Sequence, residues 1–281
     1  MTTQTTEQPG GGHARQRSVV PPATDRFDHV VRSEWTKFWS VRSTMWTFIA
    51  LVVVTVGISA LLCLAVAANW DDINAADRAQ IEPVSQSLSG IFLGQMAIIV
   101  LGALTISSEY STGGIRTTLT AVPQRLRLLA AKGLVLAVIA FAAGLVTMVP
   151  SFLLGQAVLS TANAGIEVSL GDPGVLRAVI GGALYVAACG LLGFALGALL
   201  RHTAGAITAA VGLVFILPII GNFLPGSWGD NVSKVLNAGG SIMNARPVDN
   251  QLDPWTGYFV FSLWWVVLLA IAAVLMRRRD A

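Results

Sequence analysis

The side chains that most often carry enzyme chemistry are few and scattered in this chain. Its three histidines, His13, His29 and His202, are too dispersed to resemble a set of metal ligands. Cys63 and Cys189 lie inside apolar segments, where they are expected to be small buried residues rather than a disulfide or a metal pair. No phosphate-binding glycine loop, nucleophile elbow or zinc-protease helix occurs. We therefore expect no catalytic residue, no metal site and no enzyme activity in this chain.

A second group of polar side chains lies inside long apolar segments. This group comprises Gln95, Gln156, Tyr185 and Asn222. Such side chains usually hydrogen-bond a neighbouring helix, and this interpretation is favoured. The alternative is that they line a cavity or a transport path. No Asp, Glu, Lys or Arg lies deep in these segments, which argues against a proton-driven carrier, because such carriers need a buried group that holds the proton.

The elements that must position these side chains are long and apolar. The composition is 54% hydrophobic and 12% charged, against about 25% charged residues in a soluble domain. Six segments contain no charged residue: 43–70, 88–108, 133–166, 178–200, 202–229 and 254–276. About 20 apolar residues suffice for a helix to cross a bilayer. We therefore predict transmembrane helices near 45–68, 88–107, 133–160, 176–200, 204–223 and 257–276.

This pattern decides between the membrane class and its alternatives. A large buried helical core would not need six uncharged runs in a chain of 281 residues. Membrane strands would alternate apolar and polar residues, whereas these runs are continuously apolar. The predicted fold class is therefore an all-α integral membrane protein with six transmembrane helices.

The basic residues predict the orientation. If the N-terminus is cytoplasmic, fourteen of the 18 Lys and Arg residues lie on the inner side. The outer side then holds four, which are Arg78, Arg177, Lys234 and Arg246. Because inner loops carry the excess of basic residues, we predict a multi-pass protein of the cell membrane with both termini in the cytoplasm. The formal charge of +3 reflects this asymmetry and indicates no nucleic-acid partner.

The segment before the first span has the pattern of an amphipathic helix. One helical face of FDHVVRSEWTKFW carries Phe27, Val30, Val31, Trp35 and Phe38. The other face is mostly polar, so the helix is predicted to lie in the cytoplasmic interface of the membrane, although a helix packed on a partner would have the same pattern. We divide the chain into a disordered tail at 1–24, this interface helix at 25–42 and a transmembrane domain at 43–281.

Glycines and prolines modify the predicted spans. Two pairs, Gly90/Gly94 and Gly193/Gly197, have the spacing that permits close helix approach. Pro150 and Pro218 each remove a backbone hydrogen bond and can kink a helix. The fifth span is predicted to break within LPIIGNFLPG, which contains Pro218, and a short helix closed by glycine is expected in NVSKVLNAGG.

The inner segment EYSTGGIRTTLTAVPQRLRLLAAKG, from Glu109 to Gly133, interrupts the apolar pattern between the second and third spans. Gly113 and Gly114 permit a turn, and Pro123 suits the first turn of a new helix. The residues between them can form a short helix on the cytoplasmic surface. An ordinary basic inner loop would have the same composition, so the residue pattern alone leaves both interpretations open.

Three segments resemble the membrane subunit of a bacterial ATP-binding-cassette exporter of the type-2 permease class. SEWTKFWSVRSTMW, from Ser33 to Trp46, resembles the elbow helix of that family. The segment from Glu109 to Lys132 resembles its coupling segment, with Glu109, Gly113, Arg116, Leu119, Pro123, Arg125 and Lys132 fitting the pattern. LDPWTGYFV and the ending RRRDA resemble the last outer loop and the tail. The resemblance covers about residues 25–281.

This resemblance implies a mechanism and a set of partners. Two permease halves, identical or related, surround a path through the lipid membrane, and each docks a separate ATPase subunit through a cytoplasmic coupling helix. The resemblance assigns the ATPase contact to Glu109, Gly113, Ile115, Arg116, Leu119 and Pro123. It assigns the elbow helix to Trp35, Lys37, Phe38 and Arg42. ATP and Mg²⁺ would be bound by the partner subunit, so no cofactor is expected on this chain.

Two other functions remain as alternatives. A membrane anchor or sensor that transports nothing would share the six spans, and a phenotype independent of substrate would indicate it. An intramembrane enzyme is disfavoured, since no nucleophile and base are paired. The cargo is not specified by any motif, although the apolar spans favour an apolar or amphipathic molecule.

Overall fold

The computed structural model of the protein describes residues 27–40, 42–111, 125–162, 165–248 and 251–279, and all regular structure in these residues is helical. The helices are α1 (Phe27–Ser40), α2 (Arg42–Ala68), α3 (Ala75–Gln80), α4 (Pro83–Leu88), α5 (Ile91–Ser111), α6 (Arg125–Leu159), α7 (Val175–Leu200), α8 (Thr203–Val211), α9 (Leu217–Asn222), α10 (Gly226–Leu236) and α11 (Pro254–Arg279). A π-helical stretch, Gly212–Ile216, joins α8 to α9, and a 3₁₀ segment, Ala238–Met243, follows α10.

Six helical segments are long and apolar enough to cross a membrane. These are α2, α5, α6, α7, the continuous run from α8 to α9, and α11. The predicted architecture of six transmembrane helices is therefore confirmed. The second and third spans extend further than predicted at one end, because α5 continues to Ser111 and α6 begins at Arg125. Glu109 lies near the end of α5, and Lys132 lies in the first turns of α6, where the sequence predicts a helix that begins near Pro123 and leads into the third span. The predicted tail at 1–24 lies outside the described residues.

The helix α7 lies at the centre of the bundle. It packs against α5, α6, α8 and α11, and most of its side chains are buried. Five glycines and six alanines occur on it, and these small residues allow neighbouring backbones to approach closely. Helices in lipid associate through such close packing, since lipid tails are as apolar as the side chains that would be buried.

Both predicted glycine pairs lie at helix contacts. A Cβ atom at Gly193 would be 2.2 Å from the carbonyl oxygen of Ile99, and one at Gly197 would be 2.8 Å from that of Ala103. Gly90 approaches α2 in the same way, because its Cβ would be 2.0 Å from the oxygen of Thr55. The close approach expected from this spacing is confirmed at the α5–α7 and α2–α5 contacts.

The fifth span continues through Pro218 and ends at Asn222, so the helix breaks within LPIIGNFLPG as predicted, four residues after the proline. Proline in an α-helix clashes with the carbonyl four residues earlier, here that of Val214. The π-helical stretch widens the helix before the proline, and the Leu217 N–H bonds to the Gly212 oxygen five residues back. The third span also contains a proline, Pro150, and α6 is continuous across it.

The connection between the fifth and sixth spans forms a cap over the end of the bundle at which α11 begins. The helix α10 starts at Gly226, five residues before the predicted short helix, and ends at Leu236. The 3₁₀ segment 238–243 then packs against α7 and α11. Gly239 permits this contact, since a Cβ there would be 2.6 Å from the ring of Tyr185.

Candidate functional site

A cluster of four charged side chains joins α1 to the adjacent ends of α5 and α6. The Lys132 ammonium on α6 donates to Glu34 Oε2 on α1 at 2.6 Å and to Glu109 Oε1 on α5 at 2.7 Å. The ammonium of Lys37, one turn along α1 from Glu34, also donates to Glu109 Oε1. We call Glu34, Lys37, Glu109 and Lys132 the inner charge cluster. It binds three helices together at one end of the bundle.

Three members of the inner charge cluster are buried. Their exposed fractions are 2% for Lys132, 7% for Glu34 and 5% for Glu109. A buried charge is tolerated only when a partner compensates the loss of water, and removal of one partner leaves the other uncompensated. The cluster contains two carboxylates and two ammonium groups, so its formal charges balance. This balance explains how charged groups persist at the end of an apolar bundle.

One carboxylate oxygen in the cluster faces a different environment. Glu109 Oε2 is buried and has no hydrogen-bond partner among the residues that the structure describes. Glu109 and Lys132 border a cavity of about 190 Å³ that is also lined by the hydroxyl-bearing Thr47 and Thr105. Less than 1 Å² of this oxygen is accessible, so water in the cavity does not reach it. The carboxylate is therefore held by ammonium groups through Oε1, while Oε2 lies buried beside the cavity.

The position of α1 follows from its buried face. Val30 and Phe38 are buried, and Val30 packs against Leu128 and Ala131 in the first turns of α6. Glu34 lies four residues from both Val30 and Phe38, so it shares their helical face and is buried with them. The predicted face also included Phe27 and Trp35, but these side chains are 41% and 43% exposed. Glu34 therefore completes the stripe that packs on the bundle, and the predicted contact of Phe27 and Trp35 with the membrane interface stays a prediction.

The residues assigned to the elbow by resemblance lie on α1 and at the start of α2. Trp35 packs against Trp39, with 6.2 Å between ring centroids, and both are exposed. Lys37 belongs to the inner charge cluster, and Phe38 is buried beside it. Arg42 is the first residue of α2 and is exposed. These positions leave the proposed role of α1 as an elbow a prediction.

The residues assigned to ATPase contact fall mostly outside the described residues. Five of them lie in the segment 112–124, which is not among the described residues: Gly113, Ile115, Arg116, Leu119 and Pro123. Glu109 is described and belongs to the inner charge cluster. The cluster therefore lies next to both ends of the segment, because α5 leads into it and Lys132 lies two turns after α6 begins.

The sequence interpretation missed Glu34 as a site residue and gave Lys132 no role beyond its place in the family pattern. A usable signal existed for Glu34, since a carboxylate lies between Val30 and Phe38 at intervals of four residues. Such a spacing places a charge on the buried side of a helix. No comparable signal identifies its partner, which is 98 residues away in the chain.

The four polar side chains inside the spans make hydrogen bonds to other elements or segments, as the favoured interpretation predicted. Tyr185 donates to Gln95 Oε1 at 2.5 Å, which links α7 to α5. Gln156 donates to the Ser87 hydroxyl at 2.8 Å and accepts from the Val168 N–H. Asn222 accepts from the Ser233 hydroxyl. Gln95 and Tyr185 also line a cavity, so for these two the predicted role in a path stands as a proposal.

A second set of contacts joins α5 to the turn between α7 and α8. The Arg201 guanidinium lies over the ring of Tyr110, 5.0 Å from its centroid, and the Ser107 and Thr203 hydroxyls are 2.8 Å apart. Arg201 has a left-handed backbone, with φ of 55°, which closes this two-residue turn. The end of α5 is thus attached to three neighbouring elements.

Neither cysteine forms a disulfide, and both are buried, as expected. In the part of the chain that the structure describes, no group of three or more His, Cys, Asp and Glu side chains could hold a metal ion. The four side chains of the inner charge cluster are ion-paired with one another, and these pairs connect α1, α5 and α6 mechanically.

A comparison with protein families gives one match that spans most of these elements. The model of a family described as ABC-2 family transporter protein matches residues 30–221, which extend from α1 to α9. The matched region is more than two thirds of the chain and includes the inner charge cluster. No curated protein sequence matches this chain.

Proposed function

This chain belongs to the ABC-2 family of transporter proteins, and from that premise we propose that it forms one half of an ATP-driven exporter. Membership makes it a transmembrane permease that does not itself hydrolyse ATP and whose family works with an ATPase partner. The proposal adds that the partner is a separate chain, that a second permease half completes the path and that transport is outward. The direction rests on the resemblance of the segment from Glu109 to Lys132 to that of exporters.

The observation that carries the proposal is the inner charge cluster. It fastens α1 to α5 and α6 next to the segment 112–124, where the coupling segment is expected. A force applied to that segment would reach α5 and α6 first, because these helices flank it in the chain. The buried ion pairs to Lys132 would then move α1 with them, since separation would expose uncompensated charges. The cluster is thus suited to make three helix ends respond as one unit.

Movement of this unit would be passed deeper into the bundle through α5. This helix packs closely on α7 at Gly193 and Gly197 and contacts α8 through Ser107. ATP-driven closure of the ATPase subunits would therefore shift α5 against the central helix. In the proposed cycle this shift opens the path between the two permease halves towards the outside.

The first test is purification of the tagged chain from its native membranes in mild detergent, with identification of bound proteins by mass spectrometry. A stoichiometric P-loop ATPase is expected, and a second permease sequence would identify a heterodimer. If the chain is recovered alone even after mild crosslinking, the proposal is wrong. An anchor or sensor would then be the better interpretation.

Arg116→Glu tests the proposed contact itself. Charge reversal should weaken ATPase docking, so that recovered ATPase falls at least about tenfold, the change produced by about 1.4 kcal/mol of lost binding free energy. Arg246→Glu is the matched control, because Arg246 is exposed and lies on the predicted outer side. Unchanged ATPase recovery with Arg116→Glu would contradict the assignment of the segment 112–124 to docking.

A further inference from the structure

A cavity of about 260 Å³ lies at the other end of the bundle from the inner charge cluster. Its walls come from α5, α7, the π-helical stretch, the 3₁₀ segment 238–243 and α11. Tyr185 reaches it from a point ten residues into α7, which corresponds to a depth of about 15 Å at 1.5 Å per residue. We call this space the outer cavity.

The outer cavity is mostly apolar and uncharged, and its polar lining side chains are those of Ser89, Gln95, Tyr185 and Asn237. No Asp, Glu, Lys, Arg or His is among the described residues that line it. Aromatic side chains form much of the wall, including Phe92, Phe261 and Trp264, and the rings of Tyr185 and Phe261 are 5.2 Å apart. A charged molecule would lose its hydration here without gaining an opposite charge, which carries a large free-energy penalty. The wall chemistry therefore selects against charged ligands.

One polar group in the wall has unused hydrogen-bonding capacity. The Gln95 amide nitrogen donates to the Phe92 oxygen at 3.0 Å, and its oxygen accepts from Tyr185. An amide nitrogen carries two hydrogens, so one donor is left over, and Gln95 is only 2% exposed. A ligand oxygen in the cavity is a suitable acceptor.

The local backbone explains why the space exists. The π-helical stretch places Leu213 and Val214 in the wall, next to Pro218. Such widened turns shift the following residues relative to a regular α-helix. On the opposite side Gly240 contributes no side chain, and a Cβ atom there would have nothing within 4 Å. These two backbone features therefore help to leave open the space that the aromatic side chains surround.

From these observations we propose that the outer cavity binds an uncharged, largely apolar molecule that carries a hydroxyl or carbonyl oxygen. This inference rests on the proposed function, for which it specifies the class of cargo. The aromatic walls hold the apolar body of the molecule, and the spare Gln95 donor orients its oxygen. The site is formed within one copy of the chain and needs no residue from a second permease half.

Binding can be tested with two probes of the same shape and different charge. The full chain is placed in lipid nanodiscs and titrated with 6-bromo-2-naphthol, which is neutral at neutral pH, or with 6-bromo-2-naphthoate, which is an anion. The expected result is saturable quenching of tryptophan fluorescence by the naphthol, with at least tenfold weaker binding of the naphthoate. Competition by unbrominated 2-naphthol separates the site from partitioning into lipid. Equal affinity for the two probes, or quenching that never saturates, would overturn the proposal.

Variants locate the site. Trp264→Phe should remove most of the saturable quenching, whereas Trp46→Phe should retain it, because Trp46 is 71% exposed on α2 and does not line the cavity. Gly240→Leu should fill the cavity and weaken naphthol binding at least tenfold. Gly57→Leu is the matched control, since a Cβ there also has nothing within 4 Å but the residue lies on α2. Unchanged affinity in Gly240→Leu together with undiminished saturable quenching in Trp264→Phe would place the binding elsewhere and refute the site.

These measurements are independent of the ATPase. If an ATPase co-purifies but no saturable naphthol binding occurs, the cavity inference fails while the proposed function stands. If naphthol binds as expected but no ATPase is recovered, the exporter proposal fails. In that case the outer cavity would remain a ligand site of a protein with another role.

Discussion

At the scale of single residues, the inner charge cluster brings buried charged side chains of three helices into contact. Lys132 is the central member, because it contacts a carboxylate on each of two other helices. Its value to the fold comes from mutual compensation rather than from net attraction, since the desolvation of buried ions offsets much of their Coulomb energy. Removal of one member should therefore lower the free energy of unfolding by more than the intact cluster contributes to it.

Lys132→Met provides the corresponding prediction. The substitution keeps most of the side-chain volume but leaves Glu34 without its ammonium partner and Glu109 with one fewer. Breaking a buried pair in this way costs about 3–5 kcal/mol, so a large fall in the thermal unfolding temperature of the purified protein is expected.

Lys234→Met is the control for this measurement. It removes the same functional group from α10, where Lys234 is only partly buried. The free energy of unfolding should stay within about 0.5 kcal/mol of the wild-type value, as is usual for surface substitutions, so the unfolding temperature should change little. If the two variants unfold alike, the cluster does not hold α1 to the bundle.

At the scale of elements, the membrane helices associate through close contact between their backbones, whereas helices in water associate mainly by burying apolar side chains. The α5–α7 contact is closest where glycines meet backbone, at Gly102 against Gly190 and at Gly193 against Ile99. A glycine there allows van der Waals contact along several turns, which lipid cannot replace equally well. The same contact would pass a displacement of α5 directly to the centre of the bundle.

Gly193→Ala tests this contact. Its added methyl would lie 2.2 Å from the Ile99 oxygen, so the two helices must separate, and overpacking of this kind costs about 1–3 kcal/mol. We expect a lower unfolding temperature for the detergent-solubilised protein. Gly57→Ala adds the same methyl to open space on α2, and it should cause little loss. Equal stability of the two variants would mean that α5 and α7 are not closely packed.

At the scale of the whole molecule, charge asymmetry and helix connectivity point to the same arrangement. The inner charge cluster and the Arg201 turn lie at one end of the bundle, where most basic residues are predicted to be cytoplasmic. The outer cavity and the cap formed by α10 and the 3₁₀ segment lie at the other end. The proposed ATPase contact and the proposed ligand site would then lie on opposite sides of the membrane. This arrangement suits a transporter in which ATPase motion on the inner side opens the path to the outside.

Cysteine accessibility tests this orientation. Asp72→Cys should react with a membrane-impermeant maleimide in intact cells, because Asp72 is exposed and lies between the first two spans. Arg278→Cys should react only after permeabilisation. The native Cys63 and Cys189 are buried, so their background reaction should be low. The reverse pattern would invert the predicted topology.

The sequence by itself determined the class of the protein, the number of its spans and their approximate bounds. Hydropathy over about 20 residues is a local property of the sequence, and it decides directly whether a helix can cross the hydrocarbon layer of a bilayer. The positions of close helix approach were also predictable, because glycine spacing is local. The family resemblance was confirmed for the same reason, since motif order and spacing are read along the chain.

The tertiary structure alone decided which side chains meet. Glu34 and Lys132 are 98 residues apart, and Tyr185 is 90 residues from Gln95, so no window of the sequence contains both members of either pair. Their meeting depends on the rotation of each helix about its axis, which is set by the packing of all its neighbours at once. The outer cavity depends further on a π-helical stretch and a bare glycine facing one space. These features form a cavity only when the five elements that line it pack together.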